Sequence, residues 1–289
     1  MEQGSGGIRS GAAPALLEVT DICKGFGLGP WRQVVLEGCS FTPAPGKLTV
    51  LIGPSGCGKS TLIAVLAGYE SIDAGEVLLL GKPVRGPGSD RLVVFQETAL
   101  FPWMTTYKNV IYGPMVQRMR SRAEIRAAAN HLLEIVGLKD FKDKYPNQLS
   151  GGMQRRAELA RAMIVNPKIM MLDEPFRGLD AMTRELMQEY FLRLFEDRRQ
   201  TVLFVTSEID EAIFLADEVL IMSNRPGRII KRMAIDLARP RTPDILTSSQ
   251  YLNYKEEAME VLHAEAVKAF AGGSKAAADF LEAYAARDQ

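Results

Sequence analysis

The stretch Leu48-Thr49-Val50-Leu51-Ile52-Gly53-Pro54-Ser55-Gly56-Cys57-Gly58-Lys59-Ser60-Thr61 decides the fold. Its first five residues read as a buried strand, the next nine as a glycine-rich turn running into a helix whose apolar body is Leu62 to Leu66. Strand, turn and helix together give G-x-x-x-x-G-K-[ST] the context that makes the pattern meaningful. Glycine lets backbone N–H groups wrap a pyrophosphate, and the helix N-terminus adds partial positive charge. Lys59 is then expected at the β- and γ-phosphates and Ser60 on Mg²⁺. The predicted ligand is a nucleotide polyphosphate with Mg²⁺, cradled by Gly53, Pro54, Ser55, Gly56, Cys57, Gly58, Lys59, Ser60 and Thr61.

Composition is compatible with this reading. The chain has 289 residues, 47% hydrophobic and 24% charged, with 35 basic and 35 acidic side chains. A net charge of zero gives no electrostatic case for a nucleic-acid partner, because such domains carry a basic face. No apolar run approaches the roughly 20 residues that span a bilayer. Residues 1–14 are rich in Gly, Ser and Ala and lack the apolar core of a signal peptide, so they read as a disordered leader. Cys23, Cys39 and Cys57 have neither disulfide nor zinc spacing, which suits a reducing cytoplasm. Cys57 sits in the phosphate loop, either as an activated thiol in a positive environment or as a small loop filler; the filler is the simpler reading.

Leu16 to Phe41 alternates apolar and polar positions, as two strands joined by a turn from Gly25 to Pro30 would. Val77 to Gly81 and Leu92 to Phe95 read as further strands. Ile125, Ala129, Leu132, Leu133 and Val136 follow helical spacing from Ser121 to Val136, with Gly137 as the C-cap. A second helix is expected over Met153 to Val165. Ile169 to Leu172 and Thr201 to Val205 are continuous apolar runs, the mark of parallel strands covered on both faces. The class is therefore α/β with a mainly parallel sheet, over residues 15–241. Residues 242–289 form a helical extension, in which Leu252, Met259, Leu262, Ala266 and Phe270 make one apolar stripe and a short last helix ends at Ala286. That stripe either packs on its own domain or docks another subunit; its mixed Glu and Lys face argues against a membrane surface.

Asp173 and Glu174 end the strand Ile169–Leu172, where Asp173 can hold the Mg²⁺ shell and Glu174 can orient or deprotonate water. Gln96 directly follows the strand ending at Phe95, where an amide can contact both metal and water. Ser150, Gly151 and Gly152 at a helix start offer a hydroxyl and bare N–H groups to an anion, a second phosphate-binding device. Two such devices for one nucleotide suggest a head-to-tail dimer with each nucleotide sandwiched between chains.

With these stations in order, the chain resembles the ATP-binding-cassette (ABC) ATPase subunits, over Leu16 to about Arg241. Gly53–Thr61 matches Walker A, Gln96 the Q-loop, Leu149 to Gln154 the signature, Ile169 to Glu174 Walker B, and Gly178-Leu179-Asp180 the D-loop. The resemblance implies a P-loop cassette with an N-terminal antiparallel β subdomain and a helical signature subdomain. Phe95 to Trp103, Asp210 to Asp217 and Met222 to Ile229 further resemble the nitrate/sulfonate/taurine branch of importers. That implies a motor on the cytoplasmic face of the inner membrane, a membrane permease, a second ATPase cassette, and a solute-binding protein delivering a small anionic or organic solute. Trp103 to Tyr112 is then expected to line the groove for the permease. An aromatic of the first hairpin stacks the adenine in this family; Phe26 matches, with Trp31 as the alternative and a plain core role for Phe26 as the other reading.

Two positions depart from the family. Ser207 stands where a histidine contacts the γ-phosphate, and serine is too short to do so without a bridging water. Loss of one preorganised transition-state contact commonly lowers turnover by about 10²–10³-fold. Either the site is slowed, as in a degenerate cassette partnered with another ATPase, or Glu174, Gln96 and Ser150 suffice. Arg177 replaces one of two small residues before Leu179-Asp180, either pairing with the partner chain or merely solvated. Two other classes compete: a non-transport cassette on ribosomes or DNA, disfavoured by neutral charge and a single compact cassette, and an ATP sensor that barely hydrolyses.

Overall fold

The computed structural model describes residues 15–271, with side chains to residue 268. The leader 1–14, the Phe270 side chain and the last helix to Ala286 lie outside the described residues. In chain order the elements are β1 (Leu17–Phe26), β2 (Gln33–Phe41), β3 (Leu48–Ile52), α1 (Lys59–Ala67), β4 (Ala74–Leu79), β5 (Lys82–Pro83) and β6 (Arg91–Val94). There follow α2 (Thr106–Val116), α3 (Arg122–Ile135), α4 (Gly151–Val165), β7 (Ile169–Asp173), α5 (Ala181–Arg198) and β8 (Thr201–Thr206). The described chain closes with α6 (Ile209–Leu215), β9 (Glu218–Met222), β10 (Ile229–Ala234) and α7 (Ser249–Ala271).

Two sheets organise these elements. One is antiparallel, in the order β2-β1-β4-β5; the other runs β10-β9-β3-β8-β7-β6. From β9 to β6 every pairing in the second sheet is parallel, and β10 adds an antiparallel edge. The α/β class, the mainly parallel sheet and the antiparallel N-terminal subdomain are as expected. Successive side chains of a strand point to opposite faces, and here each face has its own core. Val50 and Ile52 of β3, Leu172 of β7 and Phe204 of β8 face the helices α4 to α6. Leu51, Met171 and Val205 face α1 and the antiparallel sheet, alongside Leu17, Phe41 and Leu62. Covered on both sides, these strands take apolar residues at nearly every interior position, with Thr49 the buried polar exception in β3, which is why they read as near-continuous runs in the sequence. On the helical side Phe176, Phe191 and Phe204 meet with ring centroids 5.6–6.2 Å apart, in tilted or edge-on contact.

Several boundaries differ from expectation. Helix α4 begins at Gly151, two residues before Met153, because the Ser150 hydroxyl accepts the Met153 N–H at 3.3 Å and so caps it. Gly137 lies one residue beyond the true cap, Val136. Leu80 and Gly81 leave the strand for the turn into β5. Phe95 lies past the end of β6, exposed and stacked on Tyr69 at 6.2 Å.

The stripe expected on the C-terminal helix is corrected. Leu252, Met259 and Ala266 are exposed, and of that set Leu262 alone is partly buried. The docked face is Tyr251, Ala258 and Glu265. Polar anchoring decides this: the Tyr251 hydroxyl donates to Asp210 Oδ1 at 2.6 Å, and Glu265 accepts the Asn224 N–H at 2.9 Å. The helix therefore packs on its own domain, against α6 and β9. Tyr251→Ala should remove about 3 kcal/mol of stability by truncating a buried aromatic side chain, lowering the melting temperature by roughly 6–12 °C. Tyr251→Phe should lose only the hydroxyl contact, about 1 kcal/mol. An unchanged melting temperature in the alanine variant would show that this anchor does not hold α7.

Candidate active site

Parallel pairing brings the ends of four strands side by side. Ile52 of β3 pairs with Thr206 of β8, Asp173 of β7 with Val205, and Val94 of β6 with Leu172. The residues that follow each end are therefore neighbours. Ser55, Gly56, Gly58, Lys59, Ser60 and Thr61 share a cavity of about 190 Å³ with Gln96, Asp173, Glu174, Arg177 and Arg225. Residues far apart in sequence, and expected to act together, meet there.

The loop itself is tightly specified. Gly58 caps α1 at φ 110°, a region closed to most side chains, and a Cβ there would meet Leu36 Cδ2 at 2.8 Å. Gly227, from the segment before β10, backs directly on the loop: a Cβ would lie 2.3 Å from the Cys57 carbonyl oxygen. Lys59 is buried, and its ammonium donates to the Gly53 and Pro54 carbonyls at 2.8 and 3.1 Å. The Cys57 side chain is fully buried and burial pushes its thiol up, so it is a packing residue and not an activated nucleophile.

The carboxylates occupy contrasting positions. Burial pushes the Asp173 carboxyl up and the neighbouring Glu174 adds to the effect, against the Ser60 hydroxyl and Lys59. Asp173 Oδ1 is buried with no hydrogen-bond partner among the described residues. An orphaned carboxylate oxygen beside a serine hydroxyl is the donor set a hard divalent cation takes, so the residues fit Mg²⁺. Glu174 has φ 44°, a left-handed conformation costly for a non-glycine residue, and its N–H donates to the Val205 carbonyl at 2.9 Å. Its carboxylate lies 3.9 Å from Lys59 Nζ and 2.7 Å from Arg177 Nη1.

Other predicted residues lie around this centre. Ser207 is exposed at the end of β8 and lines a neighbouring cavity of about 100 Å³, not the phosphate-loop cavity. Ser150, Gly151 and Gly152 are likewise outside the lining of the phosphate-loop cavity of their own chain. Phe26 ends β1 in register with Gln33 and is 43% exposed, which removes the plain core reading; Lys24 Nζ stands 4.9 Å from its ring centroid. Arg225 and Gly227 were not anticipated as site residues. Arg225 reaches from the cavity towards Gln33 Oε1, 3.4 Å away, so it bridges the hairpin end and the phosphate loop. The resemblance of Met222–Ile229 to a known branch was the one sequence signal for them.

Gln96 is held from the signature helix. Arg155 on α4 donates to the Phe95 carbonyl at 2.8 Å and to that of Gln96, while pairing with Glu158 at 2.6 Å. Glu158 accepts the Ala99 N–H at 3.0 Å. Burial pushes the Glu158 carboxyl up and the Arg155 guanidinium down, and their mutual attraction opposes both shifts. Beyond Ala99, Asn109 of α2 fixes the loop by hydrogen bonds to Phe101 and Met104. A groove of about 560 Å³ opens beside it, lined by Leu92, Val93, Phe101, Tyr112 and Arg161 among others. Trp103 is exposed and packs on Phe101 at 5.6 Å.

Residues 36–177 match the family described as ABC transporter. A bicarbonate transport ATP-binding protein of Synechocystis sp. is 42% identical over 252 residues, 86% of this chain and 89% of its own length. A nitrate import ATP-binding protein of Synechococcus elongatus is 40% identical over 81% of this chain and 86% of its own. A taurine import ATP-binding protein of Pseudomonas aeruginosa is 43% identical over 72% and 79% respectively. Among solved structures, a dimeric post-hydrolysis ATP-binding cassette bound to ADP and Pi superposes with TM-score 0.64 and 26% identity, covering 77% of this chain and all of that one.

Glu158→Ala should leave Arg155 as a buried charge without its counter-ion and cost about 3 kcal/mol. Amide exchange at Ala99 should accelerate more than exchange within α4. Equal acceleration at both places would mean that Glu158 only stabilises the helix.

Proposed function

We propose an importer motor for this chain, which belongs to the ABC transporter family and is an ATPase. In this reading it energises uptake of a small anionic or organic solute through a separate permease, while peripheral on the cytoplasmic face of the inner membrane. The observation that carries it is the convergence of Lys59, Ser60, Gln96, Asp173 and Glu174 on one phosphate-sized cavity. Ser150 and the two glycines after it lie off that cavity, so they suit the nucleotide of a second cassette, the same chain or a paralogue, in a head-to-tail dimer. Among the described residues no helix is long and apolar enough to cross a membrane, which suits a motor that works through partner subunits. The groove beside Phe101 and Tyr112 is the place for a permease helix, and a solute-binding protein would act on the permease's far side.

The chain's own residues account for the chemistry. Phe26 stacks the adenine, and Arg225 lies along the path from there to the phosphate loop. On ATP binding Lys59 exchanges two neutral carbonyl partners for the charged β/γ-phosphates. Ser60 and Asp173, with Gln96, would hold Mg²⁺, which when bound would supply positive charge against that developing on the phosphates. Glu174 orients a water and accepts its proton as the water oxygen bonds to the γ-phosphorus. The bond from that phosphorus to the β–γ bridging oxygen breaks, and its electron pair leaves with ADP. Closing the dimer assembles the site; hydrolysis reopens it and moves the permease. A slowed, degenerate site is the second reading, favoured by the placement of Ser207 outside the phosphate-loop cavity.

Lys59→Ala should weaken ATP binding at least a hundredfold, about 2.7 kcal/mol, as measured by calorimetry. Parental affinity in that variant would remove the nucleotide-site assignment. Glu174→Gln should keep ATP bound and accumulate a closed dimer on gel filtration while turnover falls at least a hundredfold. Hydrolysis at the parental rate would take Glu174 out of the water-activating role.

A further inference from the structure

Two residues, Glu174 and Arg177, line both the phosphate-loop cavity and the smaller cavity that holds Ser207. They are also in contact, and the Glu174 carboxylate is bracketed by cations: Lys59 Nζ at 3.9 Å from one oxygen and Arg177 Nη1 at 2.7 Å from the other. The two cations differ in kind. Lys59 is buried and fixed by carbonyls, whereas the Arg177 side chain is 57% exposed at the lip of the cavity. An ion pair with so exposed a cation adds little to folding stability. Its placement, against the carboxylate and in the lining of the phosphate-loop cavity, is what needs explaining.

A guanidinium carries five donors in a planar fork. Among the described residues the Arg177 side chain uses one of them, on Glu174 Oε2. The others remain for an anion held next to Lys59, and a charged fork can take two oxygens of a phosphoryl group at once. Ser207 shares the smaller cavity with Glu174 but is short, uncharged and outside the lining of the phosphate-loop cavity. The backbone helps to hold the arginine: its N–H donates to the Glu174 carbonyl at 3.1 Å, so the residue is tied to the strained turn that presents the carboxylate.

We propose that Arg177 is a γ-phosphate-binding and carboxylate-positioning residue of the hydrolytic site, supplying from the segment before α5 the cationic contact that Ser207 at the end of β8 does not. The inference rests on the reading above in which Glu174 orients the attacking water. One arm of the guanidinium keeps that carboxylate in place when ATP draws Lys59 away, and the other neutralises charge on the transferring phosphoryl group. The arginine thereby makes the serine tolerable.

The test is a double-mutant cycle in the full-length chain, with Arg177→Ala, Ser207→His and the double variant, and with Arg177→Lys and Glu174→Gln as controls. Turnover is read together with calorimetric affinities for ADP and for the γ-phosphate analogue AMP-PNP. Arg177→Ala should lower kcat about tenfold or more and weaken AMP-PNP several-fold while leaving ADP binding unchanged. Arg177→Lys should recover part of both losses, because it keeps the charge but not the fork. Ser207→His should change kcat little in the parent and raise it about tenfold in the Arg177→Ala background, since the two side chains serve one oxyanion. Equal effects on ADP and AMP-PNP, or a histidine gain that is the same in both backgrounds, would overturn the proposal. If Glu174→Gln hydrolyses at the parental rate, the underlying reading of Glu174 fails, and the AMP-PNP to ADP ratio still decides whether Arg177 meets the γ-phosphate.

Discussion

Parallel pairing of β6, β7, β8 and β3 is the constraint from which the rest of the molecule follows. Its hydrogen-bonded register fixes which residue stands beside which, and a shift by one residue would turn every apolar side chain to the wrong core. Because all four strands run the same way, their C-terminal ends lie along one edge, and each end releases a different functional element. β3 releases the phosphate loop, β6 Gln96, β7 the carboxylates and β8 Ser207. No loop has to reach across the domain to build the site. This is the general logic of open parallel sheets, in which ligands bind beyond the carboxyl ends of the strands.

Buried charge is used at the joints between the sheet and the helical subdomain. Arg155 and Glu158 are among the most enclosed ionised groups in the molecule, and both are satisfied by backbone groups of residues 95–99 as well as by one another. Replacing such a pair by apolar residues is often neutral for stability, so stability is a weak reason for it. Its geometric consequence is stronger. The pair ties Gln96 to α4, the helix capped by Ser150, so a rotation of that helix relative to the sheet would carry the glutamine with it. In the proposed motor, that tie lets a permease seated beside Phe101 and Tyr112 sense whether the phosphate end is closed.

The sequence was legible where one physical cause dominated. Strands β3, β7 and β8 are covered on both faces, so their runs are apolar but for the buried Thr49 in β3 and residues at strand ends, and the glycines and lysine after β3 follow from steric need and charge. Helix α5 was not recognised because it buries Met187, Phe191, Leu192, Leu194 and Phe195 over a broad arc, which blurs the helical period. Strands β9 and β10 were not recognised either, the resembling stretches Asp210 to Asp217 and Met222 to Ile229 carrying no strand assignment. On α7 the apolar period pointed to Leu252 and Met259, yet the buried face is set by Tyr251 and Glu265, whose polar atoms find partners on α6 and before β10. Periodicity counts carbon; it does not see hydrogen bonds across the fold. Arg225 escaped, and the pairing of Arg177 with Glu174 of its own chain went unseen, for a related reason. An arginine in a loop reads as solvated until the fold shows what it faces.

The arrangement around Lys59 explains how a site made of like and unlike charges can wait for its ligand. An ammonium buried to this degree needs acceptors, and the Gly53 and Pro54 carbonyls serve while Glu174 stands 3.9 Å away. These acceptors are neutral or at a distance, so a polyphosphate offers the lysine more than it gives up, whereas water offers less. Drawing Lys59 to a phosphate loosens its hold on Glu174 at the moment that carboxylate must turn to water. A carboxylate released into a cavity of phosphate oxygens would be repelled from the place where it is needed. The Arg177 contact at 2.7 Å counters that repulsion from the solvent side. The backbone at Glu174, left-handed and pinned to Val205, keeps the residue from relaxing out of the cavity. Strain in the turn and the arginine on its lip thus act on the same carboxylate, the first by limiting where it can go and the second by offsetting the charge it must face.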